Sequence, residues 1–535
     1  MLHAPLLTTV VVLILAVAAL SVMARRLQVP PPMLMLVAGV AASFVPGTPA
    51  VALDPDAVFL LLLPPLLYSS GVGMSWRGFR TNLRSILLLA VGCVLVTALA
   101  VAAVTHYVFG LSWSTGLVLG AIVAPPDAVA PMAIIRRLGL PQRLTTIIEG
   151  ESLMNDASAL VLFSFAVAAV GGAHLTAGAA ALRFLEIAGG EILWGTAIAA
   201  LLLRLRHLAN DPRAEVLLAL ATPFLAFWPP HALGGSGVVA CVVAGLFVSW
   251  NGRNLIRSAT RLQGFFIWDL LTWVIEALLF LLTGLQARAI VIGLMDGELW
   301  RAIGAGILVT LTVILVRYLW VFPATYLPRF IPAIRRHDPP PNWRMPFLVS
   351  FTGLRGAVSL AAALSIPLMT DTGAFPDRDL LLAATFIVIT ITLVGLGAAL
   401  PAMIRALGLA RSGAEEAEAL WRSEQAVRLE SVEKILARLR QAENEGALPG
   451  AIAELRQQHE SRRIRIAEPC SDESRQAAQL HLALIETERE AISQAYLDQR
   501  LSDEARRRIE RELDLEFARL THAAEETTLP DRAQR

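Results

Sequence analysis

From Leu6 to about residue 408 the chain returns repeatedly to apolar stretches of roughly 20 residues, the length a helix needs to cross a lipid bilayer. A soluble fold has no interior large enough to hide so many of them. Of the 535 residues, 56% are hydrophobic, and the mean hydropathy is +0.60. The chain is therefore read as an all-α polytopic membrane protein embedded in a lipid bilayer.

Thirteen transmembrane helices are expected, at about 5–24, 31–46, 56–71, 85–108, 113–135, 145–171, 180–203, 214–230, 235–251, 263–287, 302–327, 344–369 and 379–407. Arginines set their order. Arg25/Arg26, Arg77/Arg80/Arg84, Arg136/Arg137/Arg143, Arg204/Arg206/Arg213, Arg253/Arg257/Arg261, Arg329/Arg335/Arg336 and Arg405/Arg411 fall on every second connection. By the positive-inside rule those connections are cytoplasmic. The opposite ones carry only Arg288, Arg301 and Arg378, with Arg183 just inside a span. The N-terminus is thus expected outside and the C-terminus inside, in what reads as a bacterial inner membrane. No basic residue precedes the first span, so it is read as a retained helix and not as a cleavable signal.

After Arg411 the sequence becomes dense in Glu, Arg, Ala, Leu and Gln. Residues 1–408 are read as the membrane domain and 409–535 as a cytosolic helical tail. In the tail, Leu501, Ala505, Ile509, Leu513 and Phe517 form an amphipathic stripe, and Pro449, Pro469 and Pro530 punctuate it. A net charge of +1 says little about partners, and no nucleic-acid partner is expected. Cys93, Cys241 and Cys470 have no metal-binding spacing. There is no phosphate-binding loop and no hydrolytic triad, so an enzyme or a resident cofactor is not expected.

Two spans carry residues that break helices. Pro125, Pro126 and Pro131 lie in the fifth, and a proline removes a backbone donor and clashes with the carbonyl four residues back. The carbonyls of Ala121, Ile122 and Asp127 should lose their helical partners, which lipid tolerates only beside protein or a polar cavity. Asp127 would cap the second half, facing a partially positive helix end. In the twelfth span, Gly353 and Gly356 flank Arg355 at membrane depth, where a cation would suit exposed carbonyl ends. Interrupted helices at matching places in two halves mark the substrate site of inverted-repeat transporters.

The sixth span carries Gly150-Glu151-Ser152-Leu153-Met154-Asn155-Asp156. Acids at bilayer depth are functional by default, because they are expensive there. Residues four apart share a helix face, so Ser152 lines up with Asp156 and Glu151 with Asn155. A carboxylate, a hydroxyl and free carbonyls are ligands for a hard cation such as Na⁺ or Li⁺. The Asp156 carboxylate holds either the cation or a proton, and alternating access turns that competition into exchange. One acid beside Asn155 implies one proton for one monovalent cation, without net charge movement. Glu151 needs a counter-charge; Arg317 in the eleventh span is the economical partner, with Arg355 the rival. Glu276 and Asp269 in the tenth span face a funnel, a dimer contact or the interface, and His106 is read as an interfacial residue.

Three stretches together resemble the monovalent cation:proton antiporters of the electroneutral sodium/proton exchanger family. They are Ala124-Pro125-Pro126-Asp127-Ala128-Val129-Ala130, Gly150-Glu151-Ser152-Leu153-Met154-Asn155-Asp156-Ala157 and Gly353-Leu354-Arg355-Gly356-Ala357-Val358-Ser359-Leu360. Phe280-Leu281-Leu282-Thr283-Gly284-Leu285-Gln286 is also similar. The resemblance implies a thirteen-helix fold, a homodimer, and a core domain moving against a dimerisation domain. It implies that Asp156 binds the transported Na⁺ with Ser152 assisting, while Asn155 and Asp127 shape the site. It also matches Glu151 with Arg317 and puts Arg355 at the helix crossover. Pro126-Asp127-Ala128 stands where many members have Thr-Asp-Pro, so a threonine hydroxyl is missing while the Pro126 carbonyl remains. K⁺/H⁺ exchange is the alternative within the class; a gated cation channel and a non-transporting sensor are alternatives outside it.

Overall fold

The computed structural model describes residues 3–46, 55–172, 177–294, 298–370, 373–445, 449–467 and 472–534. Cys470 and Pro469 lie outside them. The chain forms two compact units, Met1–Leu409 and Ala410–Arg535, both mostly helical.

Among the described residues of the first unit, seven helices are long and apolar enough to cross a membrane: Thr8–Leu27, Trp76–Phe109, Gln142–Val170, Ala181–Ala209, Gln263–Gly293, Glu298–Phe330 and Arg378–Leu407. Pro31–Ser43, Val58–Gly73, Trp113–Val123 and Val238–Gly252 are shorter apolar helices. Lipid supplies no hydrophobic drive between helices, so close backbone packing does the work, and small residues permit it. Gly39 on the Pro31–Ser43 helix meets Gly284, where an added Cβ would lie 3.0 Å from the opposing Cα. Gly71 meets Gly245 in the same manner, at 3.1 Å.

Two of the helices are interrupted, each into two halves. Trp113–Val123 is followed by an irregular stretch and then Val129–Leu138; Arg344–Phe351 is followed by residues 352–356 and then Ala357–Leu364. Three π-helical turns, Val58–Leu62, Leu88–Cys93 and Ile391–Leu396, widen otherwise regular helices. The second and third serve the site. The all-helical expectation misses one antiparallel ribbon, Met369–Thr370 against Gly373–Ala374.

Arginines from three separate connections converge on one acid. Asp338 accepts from Arg84 at 2.5 Å, Arg143 at 2.6 Å and Arg329 at 2.7 Å. His106 is an end-of-helix residue, its Nδ1 2.7 Å from the Leu111 carbonyl and its ring packed on Trp113.

The second unit comprises helices Pro449–Ala467, Asp472–Leu497, Asp503–Gln534 and most of Leu409–Asn444. Its last two helices pair through Arg489, which reaches Asp514 at 2.5 Å and lies over the Phe517 ring. Leu513 in the apolar stripe is buried.

Candidate functional site

The first break begins where the backbone runs out of donors. The Ala124 N–H still reaches the Gly120 carbonyl at 2.9 Å, and then Pro125 and Pro126 contribute none. The Ala121 and Ile122 carbonyls thus lose their helical donors, the helix ends at Val123, and the next carbonyls, those of Val123, Ala124 and Pro126, are served by side chains. The Asp127 N–H crosses to the Leu354 carbonyl in the second break, at 2.7 Å. The two interruptions therefore satisfy each other's backbones, as a low-dielectric setting requires.

Asp127 stands one residue ahead of the helix cap, which is Ala128, and not at the cap itself. Its Oδ1 nonetheless accepts the Val129 N–H at 2.9 Å, which places the carboxylate at the positive end of the Val129–Leu138 helix. Gly356 packs beneath it. Any Cβ at position 356 would overlap the Asp127 carboxylate.

Arg355 serves the opposite polarity. It is 1% exposed and donates from Nε to the Val123 carbonyl at 2.9 Å and from Nη2 to the Ala124 carbonyl at 3.3 Å. Nη1 reaches the Gly353 carbonyl. Its own backbone N–H donates to Thr392 Oγ1 at 3.1 Å, within the third π-helical turn. A cation thus sits at the negative end of one half-helix and an acid at the positive end of the other.

The Gln142–Val170 helix brings the remaining residues to this crossing. Ser152 Oγ accepts the Ala128 N–H at 3.1 Å, and Asn155 Nδ2 donates to the Pro126 carbonyl at 2.9 Å. The Asn155 Oδ1 is buried without a partner among the described residues. One turn on, Ser158 donates to the Ala90 carbonyl in the second π-helical turn, whose Leu88 carbonyl accepts from Trp320 Nε1 at 2.9 Å. Widening the helix there frees carbonyls for its neighbours.

The two acids of this helix have opposite fates. Glu151 is 1% exposed and bound by Arg317 in a two-pronged pair, Oε1 to Nη1 at 2.5 Å and Oε2 to Nη2 at 2.9 Å. Arg317 also donates to the Val349 carbonyl from Nε at 3.1 Å and Nη2 at 2.9 Å. Asp156 has no hydrogen bond or ion pair among the described residues, and it faces a cavity of about 620 Å³. Asp127 and Ser152 line the same cavity, which extends to Arg136, Arg206 and Arg261. Glu276 and Asp269 also line it.

The structure thus gathers Asp127, Ser152 and Asp156 around one cavity, keeps Asn155 behind them on the Pro126 carbonyl, and sets Glu151, Arg317 and Arg355 in buried positions away from it. Thr392 and the carbonyls of Val349 and Leu354 complete the arrangement. A threonine in an apolar run is the only sequence signal for the first; backbone groups leave none. Among the described residues no three His, Cys, Asp or Glu side chains group to hold a resident metal ion.

Interrupted helices that meet at their breaks, with an unpartnered carboxylate beside them, are the arrangement found at the substrate sites of secondary transporters. The comparisons with known proteins name the family. The model described as "Sodium/hydrogen exchanger, transmembrane" matches residues 11–406, and the chain belongs to that family. An uncharacterised Na⁺/H⁺ exchanger of Mycobacterium tuberculosis is 33% identical over 97% of this chain and 97% of its own length. The Na⁺/H⁺ antiporter ApNhaP of Aphanothece halophytica is 30% identical over 77% of this chain and 75% of its own. A "Sodium, potassium, lithium and rubidium/H(+) antiporter" of Bacillus subtilis is 31% identical over 72% of this chain and 59% of its own. The solved sodium proton antiporter MjNhaP1 of Methanocaldococcus jannaschii shares the fold, with a TM-score of 0.59 at 20% identity, covering 76% of this chain and 98% of that one. The protein is an integral membrane cation:proton antiporter of the NhaP type.

Proposed function

We propose that this antiporter exchanges Na⁺ or Li⁺ for H⁺, one for one and without net charge movement, by alternating access of Asp156 to the two sides. The observation that carries the reading is the Asp156 carboxylate, unpartnered at the wall of a cavity beside the crossing helices. Such a group is stable in a low-dielectric setting only with a proton or a cation on it. Ser152, Asp127 and the Pro126 carbonyl held by Asn155 supply the rest of the oxygen-rich surroundings, with Asp156 and Ser152 as the Na⁺ ligands. Glu151 and Arg317 form a structural pair that carries no ion, and Arg355 neutralises the crossover.

The same reading includes thirteen crossings in two inverted repeats and a homodimer in a bacterial inner membrane. It puts the N-terminus outside and the tail, residues 409–535, in the cytoplasm. The arginine pattern supports that orientation, since Arg84, Arg143 and Arg329 meet on one side at Asp338.

K⁺/H⁺ exchange is the second reading. It is favoured by Pro126-Asp127-Ala128, which lacks a hydroxyl beside the acid, and by the printed cation range of the B. subtilis relative. The test is reconstitution in liposomes with an imposed pH gradient, following dequenching of a pH dye on addition of Na⁺, Li⁺ and K⁺ in turn. Dequenching by Na⁺ and Li⁺ alone supports the first reading, and dequenching by K⁺ supports the second. A pH gradient that fails to drive any cation uphill sinks both and leaves a channel or a sensor.

A further inference from the structure

We propose that the arginine cluster around Asp338 is a binding site for an anionic phospholipid, whose phosphate sits on Arg84 and Arg143 in the cytoplasmic leaflet. The choice of leaflet rests on the orientation given above; the site itself does not. Three guanidinium charges meet one carboxylate here, a surplus of two, and no second acid pairs with them among the described residues. The positive-inside rule puts arginines on this side of the membrane, but it does not gather three of them on one acid. Arg329 is fully engaged: it is buried, and it donates to the Asp338 carboxylate, to the Asp338 carbonyl at 3.2 Å and to the Thr325 carbonyl. Arg84 and Arg143 still have donors to give. Their side chains are 32% and 35% exposed, and each gives Asp338 one N–H of the five a guanidinium carries. The Arg84 Nε is buried with no acceptor among the described residues.

A phosphate group matches those open donors, because guanidinium groups take phosphate oxygens by paired N–H bonds. The surroundings favour a lipid as its source. Arg143 and Arg329 line a crevice of about 50 Å³ whose other walls are mostly apolar, among them Leu88, Ile147, Val321 and Pro346. That is several times the room one water needs, enough for the glycerol end of a lipid. The connection that carries Asp338 also exposes Leu327, Phe330, Ile331 and Trp343, each by at least 55%, and Arg335 and Arg336 with them. Aromatic and aliphatic side chains mixed with arginines belong at headgroup depth. Basic pockets between transmembrane helices on the cytoplasmic side take acidic headgroups. Arg84 lies on Trp76–Leu87 and Arg143 on Gln142–Val170, so a bound lipid staples the helix that carries Asp156 to its neighbour.

The test is a lipid titration of the full chain, purified in detergent and read by native mass spectrometry. The probes are phosphatidylglycerol, phosphatidylcholine and free glycerol 3-phosphate. Phosphatidylglycerol should bind about tenfold more tightly than phosphatidylcholine, and glycerol 3-phosphate more weakly than either. Arg84→Gln and Arg143→Gln should each weaken phosphatidylglycerol about fivefold, the equivalent of the ~1 kcal/mol a basic residue contributes near an anionic surface. Arg26→Gln, at an exposed arginine ending the first helix, should leave it unchanged. Asp338→Asn frees the arginines from a competing acid, so it should tighten phosphatidylglycerol about fivefold on the same scale. Adding that lipid should then raise its melting temperature by more than the wild type's. No preference for phosphatidylglycerol, an equal loss in Arg26→Gln, or weaker binding to Asp338→Asn would overturn the proposal. Glycerol 3-phosphate binding as tightly as the lipid would overturn it too, and the wild-type comparisons decide if the glutamine variants do not fold. The orientation fails separately. Labelling of Arg335→Cys by a membrane-impermeant maleimide on intact cells would move the cluster to the outer leaflet and leave the binding result standing.

Discussion

The pair between Glu151 and Arg317 gives the sharpest test of how the bundle is held. Both side chains are 2% exposed or less, and two parallel N–H···O bonds of 2.5 and 2.9 Å join them. Removing one partner of such a pair leaves a buried charge without compensation, which costs about 3–5 kcal/mol. The two single changes are not equivalent here. After Glu151→Gln, the guanidinium keeps its bonds to the Val349 carbonyl at 3.1 and 2.9 Å. Arg317→Gln removes those donors as well and leaves a buried carbonyl wanting, a further ~1–3 kcal/mol. Arg317→Gln should therefore be the more destabilised variant. The double replacement carries only the carbonyl loss and the net worth of the pair, so it should be more stable than Arg317→Gln alone.

The assay is a double-mutant cycle on purified protein in detergent, read as melting temperature because membrane unfolding is rarely reversible. For residues in contact the coupling falls at roughly 0.5–3 kcal/mol, and a dry two-pronged pair belongs at the upper end. Strict additivity, or a double variant less stable than both singles, would refute the reasoning. Arg317→Lys should rescue little, since one ammonium cannot span Glu151 and Val349 with the same fork of donors.

Four further outcomes follow from the geometry. Asp156→Asn keeps the size and removes the charge that the proposed exchange uses, so cation-driven proton flux should vanish while the protein stays folded; substantial retained flux would shift the carrier role to Glu151. Clamping the membrane potential with valinomycin and K⁺ should leave the Na⁺/H⁺ rate unchanged, and a clear voltage dependence would require a second titrating group, with Asp127 the first suspect. Gly356→Ala forces a methyl into the Asp127 carboxylate, and overpacking of this kind costs about 1–3 kcal/mol, so melting temperature and exchange rate should both fall. At Asp338 burial works against the anion, but hydrogen bonds from Arg143 and Arg329 outweigh it and hold the carboxyl below its ordinary value. Its stabilisation is present above the unfolded carboxylate pKa of about 4 and is lost as pH falls through the lower folded value, so Asp338→Asn should lower the melting temperature at neutral pH and converge on wild type in strong acid.

What the sequence makes legible here depends on how expensive a residue is where it stands. Asp127, Glu151, Asp156, Arg317 and Arg355 draw attention because a charge at bilayer depth is costly whatever its partners. Pro125, Pro126, Gly353 and Gly356 mark interruptions because backbone chemistry is local. Partner choice is not local. Glu151 and Arg317 are 166 residues apart, and nothing in one dimension prefers Arg317 to Arg355. The position of each guanidinium decides it: Arg355 is committed to the carbonyls of Val123, Ala124 and Gly353, which leaves Arg317 for the acid. The π-helical turns and the convergence of Arg84, Arg143 and Arg329 on Asp338 were hidden for the same reason, since each exists only once separate segments have packed.

Under the proposed exchange, the contrast between Glu151 and Asp156 also accounts for one helix serving as both scaffold and carrier. The two acids are five residues apart on Gln142–Val170, so they point to different faces of one rigid rod. The face carrying Glu151 is saturated: two bonds from Arg317 fix its charge, and the same guanidinium fixes the Val349 carbonyl near the second break. That anchorage sets the height of the rod against the crossing. Ser152 and Asn155 hold the first break by a backbone N–H and a carbonyl, and Asp156, on the cavity side with Ser152, is left without a protein partner among the described residues. Because the buried pair fixes the rod that carries Asp156, under the proposed exchange loosening it should raise the cation concentration needed for half-maximal flux before it abolishes the fold.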